Sequence, residues 1–161
     1  MRAVILILTL LLPTSAAADP LTGKSYIIQL SSTQYSSGYG NYLLPPLAEV
    51  MATSGLTARN GPGADVVVNV VTGSDVGQWV GEGDDRVWLY TISAMVGISP
   101  EAQEIPFDGT PAFGIRATLH TPNPDRQDEM DCLIALAART ALKNYRAAGI
   151  FNTDGSSCAR I

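Results

Sequence analysis

The chain has 161 residues, 46% of them hydrophobic, and 15 Asp and Glu against 10 Lys and Arg, for a formal charge of −5. That length suits one domain with one core. The acidic balance excludes nucleic acid and anionic lipid as principal partners, because both need a positive footprint.

Residues 1–18 read as an export leader outside the fold. Arg2 gives a basic start, 3–12 form an apolar stretch, Pro13-Thr14-Ser15 breaks it, and Ala16-Ala17-Ala18 offers the small residues of a signal peptidase site, with cleavage after Ala18. An apolar stretch of ten residues is too short for a membrane span, which takes about 20 across a hydrocarbon core of ~30 Å. No cysteine lies beside the cleavage point to carry a lipid. The mature domain, 19–161, is expected in the periplasm or outside the cell; 161 residues less 18 leave 143, and the loss of Arg2 leaves nine basic residues. In that oxidising setting the only two cysteines, Cys132 and Cys158, are expected to form a disulfide.

Along the mature chain, 25–30 is rich in aromatic and β-branched residues and predicts a first strand. A polar loop over 31–40 carries Tyr35 and Tyr39. It is either a plain connection or a recognition loop, since Tyr with Ser and Gly suits adaptable contacts. A helix is expected over 41–54, starting properly near Leu44 because Pro45 and Pro46 are best tolerated in a first turn. Leu43, Leu47, Val50 and Met51 share one apolar face, and Gly55 sits where a left-handed residue ends a helix.

A short strand over 56–59 and a turn at Asn60-Gly61-Pro62-Gly63 follow. The valine-rich run 64–71 has no polar face and predicts an inner strand covered on both sides. Residues 72–85 carry four glycines with Asp75, Glu82, Asp84 and Asp85. They read as a loop or an irregular extension, with Gln78-Trp79-Val80 as a strand fragment. The run 86–98 is the longest strand candidate, with Trp88, Tyr90, Ile92, Ala94 and Val96 on one face. Residues 112–120 alternate cleanly, placing Phe113, Ile115, Ala117 and Leu119 inward and Arg116, Thr118 and His120 outward. These two runs are expected to pair as antiparallel neighbours.

A second helix should open at Asn123 as cap and Pro124 as first residue. Asp125, Asp128, Glu129 and Asp131 suit its positive end. Met130, Ile134, Ala137, Ala141, Tyr145 and Ala148 form its apolar stripe, and Gly149 ends it. A bridge to Cys158 then requires the tail to turn at Gly149 and run back nearly extended, strapping itself to the helix start. A helix beginning after Cys132 or ending early relaxes that demand.

The chemistry-bearing inventory is short. His120 is the only histidine, which excludes zinc sites built on several histidines. No glycine pattern of a nucleophile elbow surrounds a serine. The acidic groups lack the alternating ligand spacing of a calcium loop, so no metal or cofactor is expected; whether Glu82, Asp84 and Asp85 hold a cation stays open. The candidate binding residues are Tyr35, Tyr39, Arg116 and His120, with Trp79 beside them, because exposed aromatics with an arginine are what interfaces use.

The helix ending Met51-Ala52-Thr53-Ser54-Gly55-Leu56-Thr57-Ala58, the turn, and the strand Ala64-Asp65-Val66-Val67-Val68-Asn69-Val70 together resemble a known pattern. Over 42–71 the chain is similar to small periplasmic α/β envelope domains such as the amino-terminal domain of TolB and related uncharacterised lipoprotein domains. It departs from them in lacking a lipidation cysteine and in its late disulfide. The resemblance implies a non-enzymatic role in envelope binding or assembly and supplies no functional residue; another envelope protein is the expected partner.

The resulting expectation is an α+β two-layer sandwich, with a mostly antiparallel sheet of four to five strands and two helices on one face. Its function is that of a secreted or periplasmic binding or envelope-assembly module. The alternatives are a small secreted hydrolase using His120 and a secreted enzyme inhibitor using the tyrosine loop.

Overall fold

The computed structural model describes residues 20–30, 40–100, 110–145 and 148–160. Strand β1 (Ser25–Leu30) leads to helix α1 (Gly40–Thr53). The helix begins earlier than expected, so Pro45 and Pro46 lie inside it, beyond the first turn. Neither proline carries an N–H, so Asn41 and Tyr42 have no helical donor four residues on. The predicted apolar face is as the spacing requires, with Leu43, Leu47, Val50 and Met51 all buried.

Gly55 takes φ +78°. Its N–H donates to the Ala52 carbonyl and that of Leu56 to the Met51 carbonyl, both at 3.0 Å. These are the two bonds of a Schellman ending, and only glycine enters that left-handed conformation without a Cβ penalty. The chain leaves the helix directly into β2 (Thr57–Ala58) and then β3 (Val66–Ser74). Arg59 Nη1 closes the intervening turn by donating to the Gly63 carbonyl at 2.8 Å. Val66 to Val70 are buried without interruption, so β3 is covered on both faces as expected.

The remaining elements are β4 (Gln78–Val80), a 3-10 turn (Gly83–Asp85), β5 (Val87–Pro100), β6 (Phe113–Thr121), α2 (Gln127–Lys143), β7 (Gly149–Asp154) and a 3-10 turn (Ser156–Cys158). The sheet runs β2-β1-β3-β5-β6-β7, with β4 paired to β5. It has seven strands rather than four to five and is mixed rather than mostly antiparallel. The pairs β1–β2, β1–β3 and β6–β7 are parallel, while β3–β5, β4–β5 and β5–β6 are antiparallel. A crossover through a helix brings the next strand back in the same direction, and both helices act as such crossovers.

The tail also differs from the expectation. After α2 it does not run back as a free strap; it becomes β7, pairing with β6 from Phe113↔Gly149 to Thr118↔Asp154. Helix α2 begins at Gln127, not at Pro124, and ends at Lys143, not near Gly149. Asn123 caps no helix; its Oδ1 accepts from the Asp125 N–H at 3.0 Å in a turn before it. The shorter helix removes the need for a taut tail, and Cys132 and Cys158 form the expected disulfide, with Cα atoms 5.6 Å apart.

The core lies between the helices and one sheet face. From β5 and β6 it takes Ile92, Ala94, Val96, Ile98, Phe113, Ile115, Ala117 and Leu119. From α2 it takes Met130, Leu133, Ile134, Ala137, Ala138, Ala141 and Leu142. The alanines let α2 approach the sheet closely. Tyr145 lies just past the helix and meets Phe113 edge to face at 5.6 Å, whereas Ala148 is exposed.

Candidate interaction surfaces

Strand alternation sends every second side chain to the face away from the helices. There the register aligns Met95 with Arg116 and Asn152, then Ser93 with Thr118 and Asp154, then Thr91 with His120. Arg116, His120, Asn152 and Asp154 are exposed and Thr118 is half-buried, so this end of the second face is polar and open. Towards β1 the same face closes, with Val67, Asn69 and Ser99 buried.

Of the sequence-predicted binding residues, Arg116 and His120 share this face four residues apart along β6, with Thr118 between them; Tyr35 and Tyr39 lie outside the described residues. Arg116 Nη2 lies 3.9 Å from Met95 Sδ. His120 Nδ1 is 3.2 Å from Thr91 Oγ1. Beside them, Asp75 Oδ1 accepts the N–H of Thr91 at 2.8 Å and that of Gly77 at 2.9 Å. The Thr91 backbone bond, with the positive potential of His120 as a smaller cause, holds the Asp75 carboxyl below its ordinary value of 3.8. Histidine, hydroxyl and carboxylate are thus neighbours, but the carboxylate is engaged by backbone and does not orient the imidazole. Among the described residues no group of His, Cys, Asp and Glu is arranged to hold a metal ion.

The second surface was read only in part from sequence. The β6 ladder with β5 starts at Tyr90, so Val87, Trp88 and Leu89 pair with β4 alone. This hairpin projects past the sheet as an arm. Trp79 stands directly opposite Trp88, their rings meeting edge to face at 5.3 Å, and Trp88 meets Tyr90 at 6.4 Å in the same manner. These aromatics continue the row that is buried further along as Ile92, Ala94 and Val96. The Arg126 guanidinium lies 4.1 Å from the Tyr90 ring centre, at the start of α2; beyond it no described helix covers the row. Trp79 is therefore 62% exposed. The arm was hidden because its glycine content reads as loop, while the facing of two tryptophans nine positions apart appears only in the hairpin register.

A third feature is not visible in the sequence. Glu129, one of several acidic groups at a helix start, is fully buried. Its Oε1 accepts from Thr121 Oγ1 and from the Arg160 N–H, each at 2.9 Å. It joins the end of β6, the first turn of α2 and the C-terminal segment.

No family model and no curated protein matches the chain. Among solved structures, a minor lipoprotein from Acinetobacter baumannii is similar to it at 13% identity, with a TM-score of 0.41, over 75% of this chain and 87% of that one. The fold of the chain is that of an α+β domain with a mixed sheet and both helices on one side. No helix among the described residues is long and apolar enough to cross a membrane.

Proposed function

We propose that this chain is a non-enzymatic binding or envelope-assembly module, exported by the leader at 1–18 to the periplasm or the exterior, that engages another envelope protein through the open end of its second sheet face. The observation that carries this reading is the exposed polar surface around Arg116 and His120, on a face that no described helix covers. The Cys132–Cys158 disulfide supports an oxidising compartment. Arginine in such a surface supplies directed donors for a partner's carboxylates and carbonyls.

The test is crosslinking in envelope extracts with the wild-type chain and an Arg116→Ala, His120→Ala variant. The wild type should give a discrete crosslinked partner that the variant loses while keeping its fold. A wild type that crosslinks to nothing and sizes as a monomer overturns the reading.

One observation favours a second reading. The 3.2 Å contact between Thr91 Oγ1 and His120 Nδ1 brings a hydroxyl and an imidazole to the distance a nucleophile and its base require, which is the arrangement a small secreted hydrolase would use. Activity on ester, peptide or glycan substrates that disappears in both Thr91→Ala and His120→Ala would favour it. Activity indifferent to His120→Ala would dismiss it.

A further inference from the structure

The arm carries a property that the second sheet face does not. It presents Trp79 open to solvent at the end of a half-buried aromatic row, together with a surplus of negative charge. Within 75–87 stand Asp75, Glu82, Asp84 and Asp85 against the single basic residue Arg86. Asp75 is taken up by backbone, but Glu82, Asp84 and Asp85 are exposed at the tip. Trp79, Gly83, Asp84 and Arg86 line a shallow cleft of about 360 Å³ there.

The row also shows what it accepts. At its inner end the Arg126 guanidinium covers Tyr90 at 4.1 Å, and at its outer end Arg86 approaches Trp79 at 6.0 Å. Between carboxylates, an indole face attracts a cation by its quadrupole while the apolar ring removes water from the contact. Arg86 Nε is held by the Gly83 carbonyl at 3.1 Å, so that guanidinium is anchored at the edge of the cleft and leaves most of Trp79 open.

We infer that the arm docks a basic segment of a partner protein, whose arginine or lysine side chains stack on Trp79 and pair with Glu82, Asp84 and Asp85. Charge complementarity selects this occupant over a bilayer. Three carboxylates at the tip are repelled by anionic headgroups, and inserting them into the interface means desolvating charges without partners. The stem of the arm is firm enough to present such a surface. Trp88 lies over the Gly77 backbone, where any Cβ would collide with its ring, and the Thr91 carbonyl accepts from the Asp75 N–H at 3.0 Å.

Trp79 and Trp88 are the only tryptophans in the chain, so indole emission reports on the arm alone. The experiment titrates the oxidised full-length protein with a tryptophan-free decapeptide of alternating Arg and Leu, with its Glu and Leu counterpart, and with phosphatidylcholine–phosphatidylglycerol vesicles. The Arg peptide should change the emission and bind with an affinity that falls as salt rises. Trp79→Ala, followed by the anisotropy of a labelled peptide, should weaken binding about tenfold. Asp84→Asn with Asp85→Asn should weaken it too and flatten its salt dependence. Circular dichroism and an intact disulfide establish that each variant is folded. Equal binding of the Arg and Glu peptides, indifference to Trp79→Ala, or binding to vesicles without binding to the peptide overturns the inference.

Discussion

Asp65 Oδ2 accepts both the N–H of Ser25 at 2.8 Å and its hydroxyl at 2.7 Å, joining the first residue of β1 to the residue before β3. The Ser25 hydroxyl faces the Asp65 N–H at 3.1 Å in return, so the two residues clamp the entry of a parallel strand pair forty positions apart in the chain. The backbone N–H of Ser25 is the largest cause, its hydroxyl the next and Lys24 a lesser one, of a carboxyl pKa lowered from 3.8 to about 2.

The sign of the pH dependence follows from that shift. A carboxylate whose folded pKa lies below its unfolded value stabilises the fold fully above the unfolded value and loses this contribution as pH falls through the folded one. Wild-type protein should therefore lose stability between about pH 4 and pH 2 in urea titrations. Asp65→Asn should be less stable at neutral pH and show a flatter acid limb. Asp75 and Asp154, whose carboxyls are also lowered, add to the same limb, so the variant flattens it without abolishing it. Parallel acid limbs in the two proteins would refute the role assigned to Asp65.

The disulfide closes a span of 26 residues, and its removal frees the end of the chain in the unfolded state. A Cys132→Ser, Cys158→Ser variant should lose about 3 kcal/mol of stability, lowering Tm by about 10 °C for a domain of this size. Mass spectrometry of the unreduced wild type should find no free thiol; finding two would refute the bridge.

Glu129→Ala should leave the Thr121 hydroxyl and the Arg160 N–H without their acceptor and open a void under the C-terminal segment. The expected loss is about 2 kcal/mol, with faster proteolytic trimming after Cys158. Glu129→Gln keeps an acceptor oxygen and should lose less. An Ala variant as stable and as protease-resistant as the wild type would show that the carboxylate has no such role.

Gly97 pairs with Gly114 across β5 and β6, and the Pro111 ring occupies the place where a Cβ at 97 would project. Gly97→Ala should therefore cost about 2 kcal/mol through overpacking, in contrast to Gly23→Ala or Gly61→Ala, where nothing crowds the added methyl group and the cost is one of backbone conformation alone. Thermal melts of the three variants check the order. A Gly97→Ala protein indistinguishable from the wild type would mean that Pro111 yields freely.

What was legible in the sequence was what local patterns encode. The α1 apolar face, the Gly55 ending, the continuous burial of β3 and the alternation of β6 all follow from spacing within a single segment. The cysteine pairing follows from there being only two. What stayed hidden depends on partners distant in the chain. Residues 149–154 have too short and exposed a pattern to announce a strand, and become β7 only because α2 returns them beside β6. Glu129 looks like its acidic neighbours until the end of β6 and the C-terminal segment close over it. Arg116 and His120 lie on the outward face that the alternation of β6 predicts, but their neighbours Asn152 and Asp154 come from β7, which the sequence presents as a tail. Trp79 is legible as an aromatic but not as half of an arm, because a hairpin register is not visible in composition.

The order of the sheet sets the terms on which the chain can be rearranged. From β1 across β3, β5 and β6 to β7 there are four strand spacings, about 19 Å at ~4.8 Å each. Because β1 and β7 run in the same direction, a linker joining the end of β7 to the start of β1 must span that width and also return the length of a strand, about 20 Å, so at least about eight extended residues are needed and more in practice. Reopening such a circle in the Asn60–Gly63 turn would move the Schellman ending and β2 to one terminus and β3 to the other. Asp65 and Ser25 would still meet, but their meeting would no longer depend on α1 having already led the chain back. A circular permutant of this design separates the contribution of the crossover from that of the clamp.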